Sequence, residues 1–545
     1  MAERIISGLK RTAVKSPSRW AEAYREMPNG RWSFKSHPWL KDMHDSDAEY
    51  NVGQKSAQMG FTETLLNVTF HAIDILRKDC LYVLPNKNPD SSDFSSGRFS
   101  PALELSPHLK QLFTDTDNIG HKRAGSANLY IRGSQSRSGL KSLPISRLLM
   151  DEVAEFCEEN IPLAFARTDG QDDKLIWMIS TPTIEGHGIG PYWDKTDQRH
   201  FNFKCPGCSQ YIELKFPESL VITANDIHDP AIKNSYLQCY LCNKKLEHQD
   251  KTNFLQTGVW TPTQAGRDWA GFTISQLYST VPSGHPVELA KFYLASRYDM
   301  AMEVEFFNSK LGIPHEAKGA RVKEEHLDAC IMSGRKNRNN DVPERGLYTM
   351  GVDVGPQVLH CEIARWIVDP KKAIGGDISS CAIPIVTKIC KVKTFEELDM
   401  LMYQYGIVSC VIDSQPERHA AGQFAKRFHG RVKLCLFNDS ARGKNIQESK
   451  LEVNNDPLII VNRASWLDQS LGRFINKTIS LPIDTDIEYR EHIKEPVKTY
   501  RKDADGNPVA RYITKDGKGD HYAFARTYNE IALVFAAGLG TNKDI

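Results

Sequence analysis

Ile145-Ser-Arg-Leu-Leu-Met-Asp-Glu-Val153 decides how the chain is read. Leu148, Leu149 and Met150 carry an apolar run straight into two adjacent carboxylates, Asp151 and Glu152. A run this short without alternation fits a strand buried on both faces of a parallel sheet. Ligands of such sheets lie beyond the carboxyl ends of the strands, where these two acids emerge. The pair suits a metal-bound phosphate, with Asp151 holding Mg2+ and Glu152 orienting or deprotonating a water. Acidic pairs also begin loops and cap helices, so the reading depends on what accompanies them.

Upstream lies Val52-Gly-Gln-Lys-Ser-Ala-Gln-Met-Gly-Phe-Thr-Glu63. A standard phosphate loop, G-x-x-x-x-G-K-[ST], puts its lysine on the outer phosphates and its hydroxyl on Mg2+. Aligning Gly60-Phe61-Thr62 with G-K-T leaves Phe61 in the lysine's place and Lys55 in that of the first glycine. A long-stemmed ammonium reaches the same phosphates from the other end of the loop. Gly60 still allows close backbone approach, and Thr62 still meets the metal. From Glu63 to Arg77 apolar residues recur at helical spacing, so the loop opens a helix whose N-terminus faces the anion.

Residues 80–84, 128–132 and 174–179 read as further buried strands, the last running into Ser180-Thr-Pro-Thr183. Hydroxyls there, Ser180 and Thr181, are placed to sense the γ-phosphate and couple its loss to movement. One strand, a second ending in acids and a third ending in hydroxyls is the layout of a nucleotide-hydrolysing α/β sheet. Residues 86–128 are polar, with a short helix expected over 103–113. The basic loop 133–141 offers Arg137 and Lys141 to phosphates of DNA or of a neighbouring subunit's nucleotide, or leaves them as solvated charges. Trp20, Trp32 and Trp39 lie in a mixed N-terminal arm, 1–40. A tryptophan there either stacks on a base or packs the arm onto the body.

Cys205-Pro-Gly-Cys208 and Cys239-Tyr-Leu-Cys242 stand about thirty residues apart. Two such pairs fit a four-thiolate tetrahedral zinc site, one knuckle from each pair, with redox use as the competing reading. The metal would hold an insertion over 200–262 that is too small for a core of its own, and four thiolates leave no position open for catalysis. Gly312 and Pro314 stop a helix. Residues 317–345, with Arg335-Lys-Asn-Arg-Asn-Asn340, read as a boundary that also touches DNA phosphates.

The remainder opens with the strand Leu347-Tyr-Thr-Met-Gly-Val-Asp-Val-Gly355, presenting Asp353, and a hairpin partner over 358–366. Ile407-Val-Ser-Cys-Val-Ile-Asp413 is another buried strand ending in an acid, and Asp520 begins a helix through Ala537. Two strand acids and a helix-start acid, in that order, are what an RNase H-like fold assembles to hold two divalent metals about 4 Å apart for phosphodiester hydrolysis. Each acid alone also suits a turn or an N-cap. Lys494, Lys498, Arg501, Lys502, Arg511, Lys515 and Lys518 precede Asp520, and a basic β-ribbon there would grip the phosphate backbone.

Composition sets bounds. The chain has 545 residues, 40% hydrophobic and 25% charged, enough for two to four domains of ordinary globular type. No run approaches the roughly eighteen apolar residues of a membrane span, and the N-terminus lacks a signal-peptide core. A net charge of +1 gives no global attraction to nucleic acid, so DNA binding must be local. Twelve scattered cysteines without a secretion signal read as reduced thiols in a cytoplasm.

Over nearly its whole length the chain resembles the large terminase subunit of tailed bacteriophages, in its lambda-like (GpA) branch. The resemblance rests on Lys55-Ser-Ala-Gln-Met-Gly-Phe-Thr-Glu63, Leu149-Met-Asp-Glu-Val153, Ser180-Thr-Pro-Thr183, the cysteine pairs, Phe307-Asn-Ser-Lys-Leu-Gly-Ile-Pro314, and Asp353, Asp413 and Asp520. It implies a P-loop (ASCE-type) ATPase domain over 41–325 carrying the zinc insertion, a linker over 326–345 and an RNase H-like nuclease over 346–545. It implies an ATP-driven motor that moves double-stranded viral DNA into a procapsid through the portal protein and cuts the concatemer, with a small terminase subunit choosing the site. Lys55, Ser56, Gly60, Phe61, Thr62 and Glu63 then line the nucleotide, and Asp151 binds Mg2+. Glu152 becomes the catalytic base, and Ser180 and Thr181 couple hydrolysis to motion. Asp353, Asp413 and Asp520 hold Mg2+ or Mn2+, and Zn2+ is structural. A homo-oligomeric ring on the portal is implied, in the host bacterial cytoplasm, docked transiently and absent from the mature virion, with no membrane. The family's arginine finger matches Lys141, with Arg137 nearby, and Glu417 stands close enough in sequence to share the role of Asp413. Two other readings compete: a helicase-nuclease of repair or mobile-element type, and a DNA-binding assembly nuclease without ATPase turnover.

Overall fold

The computed structural model describes residues 16–114, 116–141, 143–334, 345–369, 380–438, 443, 446–450, 457–503, 506–515 and 517–539. The run Arg335–Asn340 therefore lies outside the described residues. The chain divides into two compact units, Met1–Glu316 and Ala317–Ile545.

Seven parallel strands form the centre of the first unit: β1 (Tyr50–Lys55), β2 (Cys80–Leu84), β3 (Ala127–Gly133), β4 (Arg147–Asp151), β5 (Leu175–Ser180), β6 (Arg199–Lys204) and β7 (Ala270–Ile274). Their spatial order is β6-β7-β1-β5-β4-β2-β3. β5 thus lies between the strand that carries Lys55 and the strand that carries Asp151. Every residue of β4 and β2 is buried, which is why both read as unbroken apolar runs. Helix α1 (Phe61–His71) follows β1 through the phosphate loop. The helix expected over 103–113 is two, Ser100–Leu105 and Pro107–Leu112, because Pro107 cannot continue the first.

The N-terminal tryptophans pack instead of reaching for a base. Trp20 and Trp39 are fully buried, and the Trp39 indole donates to the Met59 carbonyl of the phosphate loop at 3.0 Å. The cysteine-bearing insertion is, as expected, without a core of its own. Leu220, Leu237 and Leu246 of its three-stranded sheet join the same apolar cluster as Trp39 and Phe201, so it borrows the main core.

The second unit holds a mixed sheet of β8 (Leu347–Val354), β9 (Leu359–Val368), β10 (Ala382–Val392), β11 (Ser409–Asp413), β12 (Val432–Phe437), β13 (Gln447–Lys450) and β14 (Pro457–Val461). Its order is β10-β9-β8-β11-β12-β14-β13, antiparallel through β8-β9-β10 and parallel from β8 to β11, β12 and β14. Two helices complete the part that matters here, α2 (Ile487–Lys494) and α3 (His521–Leu539). Helix α3 lies directly on β8. A Cβ at Gly351 would collide with the Ala525 carbonyl oxygen, so only glycine admits this approach. Residues 324–333, expected to fall partly in a linker, form a helix whose Leu327 and Cys330 are buried in this unit's core. The basic ribbon exists as Val497–Lys502 paired with Pro508–Ile513. Two of its expected DNA contacts are already engaged: Lys498 with Asp468 at 2.7 Å, and Lys494 with Glu324 at 2.7 Å.

A buried charge network anchors α3. Arg526 donates to Glu362 and to Glu530 at 2.6 Å each, Arg473 donates to Glu530 at 2.7 Å, and Tyr489 donates to Glu362 at 2.6 Å. Removing one partner leaves an uncompensated buried charge, a loss of about 3–5 kcal/mol. Arg526→Met is expected to cost that much, read as faster native-state hydrogen exchange in peptides covering α3. Unchanged protection there would mean that the network contributes nothing net.

Candidate active sites

The first site forms where β1, β4 and β5 end. Lys55, the last residue of β1, is 7% exposed, and its Nζ donates to Glu152 Oε1 at 2.6 Å. Burial works against the ammonium, but the carboxylates of Glu152 and Asp151 outweigh it and hold the Lys55 pKa above its ordinary value. Burial also opposes the Glu152 carboxylate, and the charge and hydrogen bond of Lys55 overcome this and hold its pKa low. Asp151 differs. Burial pushes its pKa up, aided by the charge of Glu152 and only partly offset by Lys55.

The surroundings of these acids fit a metal-bound phosphate. Asp151 Oδ2 accepts from the Tyr82 hydroxyl at 3.0 Å, while Oδ1 is buried without a partner among the described residues. Thr62 reaches Asp151 from the second position of α1. An orphaned carboxylate oxygen beside a hydroxyl is a donor set suited to Mg2+. Glu152 has left-handed backbone geometry, φ 61 and ψ 51, a strained conformation for a residue of this type. Its side chain is 41% exposed, so water reaches the carboxylate. Ser180 Oγ donates to Glu152 at 3.4 Å and accepts from the Ala154 amide at 3.1 Å, linking that carboxylate to the end of β5. Thr181 follows directly, its amide 3.5 Å from the same carboxylate.

The phosphate loop is braced from behind. The Ser56 amide donates to Ile274 at 3.2 Å and the Ala57 amide to Ser309 at 2.7 Å, so those two groups are committed to the protein. Gly60 sits at φ +86, a conformation that favours glycine. Phe61, in the usual lysine position, is 1% exposed in the core. Glu63 is held by the buried Arg25 at 2.9 Å and approached by Arg98 at 3.4 Å. A cleft of about 510 Å3 opens here, lined by Thr62, Asp90, Asp93, Arg98, Asp151 and Glu152 among others. The sequence reading missed Arg98, which comes from the polar stretch after β2. Lys141 and Arg137 are both exposed, and neither lines the cleft.

Cys205, Cys208, Cys239 and Cys242 gather as spacing predicts. The Sγ atoms of Cys205 and Cys242 are 3.8 Å apart, and those of Cys208 and Cys239 4.0 Å. No disulfide spans such distances. A tetrahedron of thiolates around zinc has edges of about 3.8 Å, so the four sulfurs fit that ion.

In the second unit Asp353 and Asp413 end neighbouring parallel strands, and Asp520 immediately precedes α3. Asp413 is pushed up to about 6, first by burial and further by the charge of Asp353. Asp520 accepts from Thr514 at 2.7 Å. Asp353 is bound to an unforeseen partner: His521 Nδ1 lies 2.8 Å from its Oδ2. Among the described residues of this unit the tight donor groups are Asp353-His360-His521 and His360-Glu488-His492, and the three acids together do not form one. Asp353 and His360 are cross-strand partners of the β8-β9 hairpin, a pairing that spacing alone could have suggested. Glu417 is exposed before the helix Arg418–Arg427 and belongs to neither group.

Residues 27–260 match the family described as phage terminase large subunit gpA, ATPase domain. That stretch is similar to the ATPase domain of phage terminase large subunits. No curated protein matches the chain in sequence. Among solved structures it is similar to the large terminase of bacteriophage HK97, at 10% identity and TM-score 0.48, covering 95% of this chain and 99% of that one. The large terminase of a thermophilic bacteriophage follows at 12% identity and TM-score 0.32, with 92% and 99% covered. The large terminase nuclease of thermophilic phage G20c shows 12% identity and TM-score 0.23, with 37% and 94% covered. These superpositions are too loose to carry residue roles across.

The displaced lysine has a direct test. Lys55→Ala is expected to abolish ATP hydrolysis, and adding Phe61→Lys should not restore it, because position 61 faces the core. Burying a lysine in place of Phe61 should also lower stability by several kcal/mol, about the cost of deleting a core aromatic. Recovered turnover in the double variant would show that position 61 reaches the nucleotide.

Proposed function

We propose that the chain is the large subunit of a terminase, an ATP-driven motor that translocates double-stranded viral DNA through the portal protein into a procapsid and cleaves the concatemer. The observation that carries the reading is the meeting of Lys55, Thr62, Asp151 and Glu152 at one sheet edge, inside the stretch that matches the terminase ATPase family. The strand order, with β5 between the loop strand and the acidic strand, supports an ASCE-type ATPase. Mg2+ held by Asp151 and Thr62 would neutralise phosphate charge. The remaining work falls to the chain's own side chains. Lys55 leaves Glu152 for the phosphates, drawn by their larger negative charge, and the freed Glu152 carboxylate orients and deprotonates the attacking water. Ser180, bonded to that carboxylate, carries the change to the end of β5.

The second unit is read as an RNase H-like endonuclease in which Asp353, Asp413 and Asp520 hold Mg2+ or Mn2+. Its strand order and the common edge of the three acids support this. Zn2+ in the four-cysteine cluster is structural, since four thiolates complete its coordination. Arg501, Lys515 and Lys518 are the ribbon cations without an ion pair among the described residues, and they are assigned to the DNA backbone. Exposed Lys141 or Arg137 would reach the nucleotide of a neighbouring subunit in a homo-oligomeric ring on the portal. A small terminase subunit would select the cutting site. The setting is the host cytoplasm, with transient docking at the procapsid and no place in the mature virion.

The two activities separate by mutation. Glu152→Gln is expected to bind ATP but lose DNA-stimulated hydrolysis, while Asp353→Ala loses metal-dependent DNA cleavage and keeps ATPase turnover. Full turnover in the first would remove Glu152 from the chemistry. Full-rate cutting in the second would remove Asp353.

A further inference from the structure

His360, on β9, faces a pair from one side of helix α2. Glu488 and His492 are one helical turn apart, so their side chains project from the same face. One ligand atom from each of the three lies within 4.8 Å of the others. His360 is 4% exposed and His492 9%, and the Nδ1 of each is buried without a hydrogen-bond partner among the described residues. The His360 atom that faces Glu488 is Nε2, so its orphaned Nδ1 is not the ligand there, and the case for an ion rests on the convergence of the three donors. The donors do not satisfy one another, since His360 Nε2 is 3.8 Å from Glu488 Oε1, beyond hydrogen-bond range. Convergence without mutual bonding is how ligands stand around an ion.

The rest of the cluster is consistent with that. Lys391, the cross-strand partner of His360, donates to Glu488 Oε2 at 2.5 Å and so fixes the carboxylate while leaving Oε1 turned to the histidines. His521 stacks on His360 at 4.5 Å between ring centroids, closing the side toward Asp353. Two imidazoles and one carboxylate favour a first-row transition ion over Mg2+, which prefers oxygen donors and keeps its waters.

We propose that His360, Glu488 and His492 form a binding site for a divalent transition-metal ion, separate from the four-cysteine cluster and sharing only His360 with the Asp353-His360-His521 group. An ion there fastens α2 to the β8-β9 hairpin that presents Asp353. The site does not depend on the nuclease reading, because a chain that cuts no DNA would still bind the ion.

The test is equilibrium dialysis of the full chain against Co2+ in excess Mg2+, after the cysteine cluster has been filled with one equivalent of Zn2+. The wild type should take up one further Co2+ per chain, with visible absorption typical of nitrogen and oxygen ligation. His492→Gln and Glu488→Gln should each weaken that uptake by about ten-fold or more. Asp353→Asn should leave it in place. Lys391→Met should weaken it less than loss of a ligand does, because it frees the carboxylate that Lys391 fixes and leaves the three donors in place. No further Co2+ in the wild type, wild-type affinity in the His492 and Glu488 variants, or loss of the ion in Asp353→Asn alone would each overturn the assignment.

Discussion

The ion pair between Lys55 and Glu152 is the contact on which the proposed chemistry of the first unit depends. It joins the ends of two strands that are not neighbours, with β5 between them, so it exists only when the parallel sheet has its full order. It also faces a strained turn. Glu152 holds a left-handed conformation that costs on the order of 1–3 kcal/mol for such a residue, and the pair with Lys55 helps to keep it there. The Glu152 carboxylate fixed in this way lines the cleft and is occupied by Lys55, which under the proposed function serves the phosphates. Substrate charge is the natural release.

The second unit solves a different electrostatic problem. Its buried arginines and glutamates neutralise one another in the core, and that arrangement seats α3 against Gly351. Seating α3 brings Asp520 and His521 to the edge where β8 and β11 present Asp353 and Asp413. The acids at that edge are therefore a consequence of packing far from them, and burial leaves Asp353 and Asp413 with raised affinity for protons.

Much of this was legible in the sequence because it is local. The unbroken apolar runs of β2 and β4, the loop before α1, the paired cysteines and the order of the three acids follow from short stretches whose period or spacing admits few folds. What escaped was produced by contacts between distant segments. Glu63 reads as a nucleotide contact until Arg25 is found against it. Lys494 and Lys498 read as free DNA contacts, and the sequence does not reveal that Glu324 and Asp468 stand beside them. The histidines escaped for the same reason: His360, His492 and His521 come from a hairpin and two helices, and no spacing rule joins them. The insertion was legible as too small for a core of its own. Its leucines look too few for a core when counted alone, and they are enough because the main core accepts them.

The central claim is that a lysine at the end of β1 serves the phosphates from the position usually held by a glycine and is released from Glu152 to do so. An experimental structure of the full chain with Mg2+ and a non-hydrolysable ATP analogue tests it most directly. The account predicts Lys55 Nζ within hydrogen-bond distance of the outer phosphates, and the Glu152 carboxylate free of Lys55 and facing the γ-phosphate. Lys55 still paired with Glu152 while another cation holds the phosphates would contradict it.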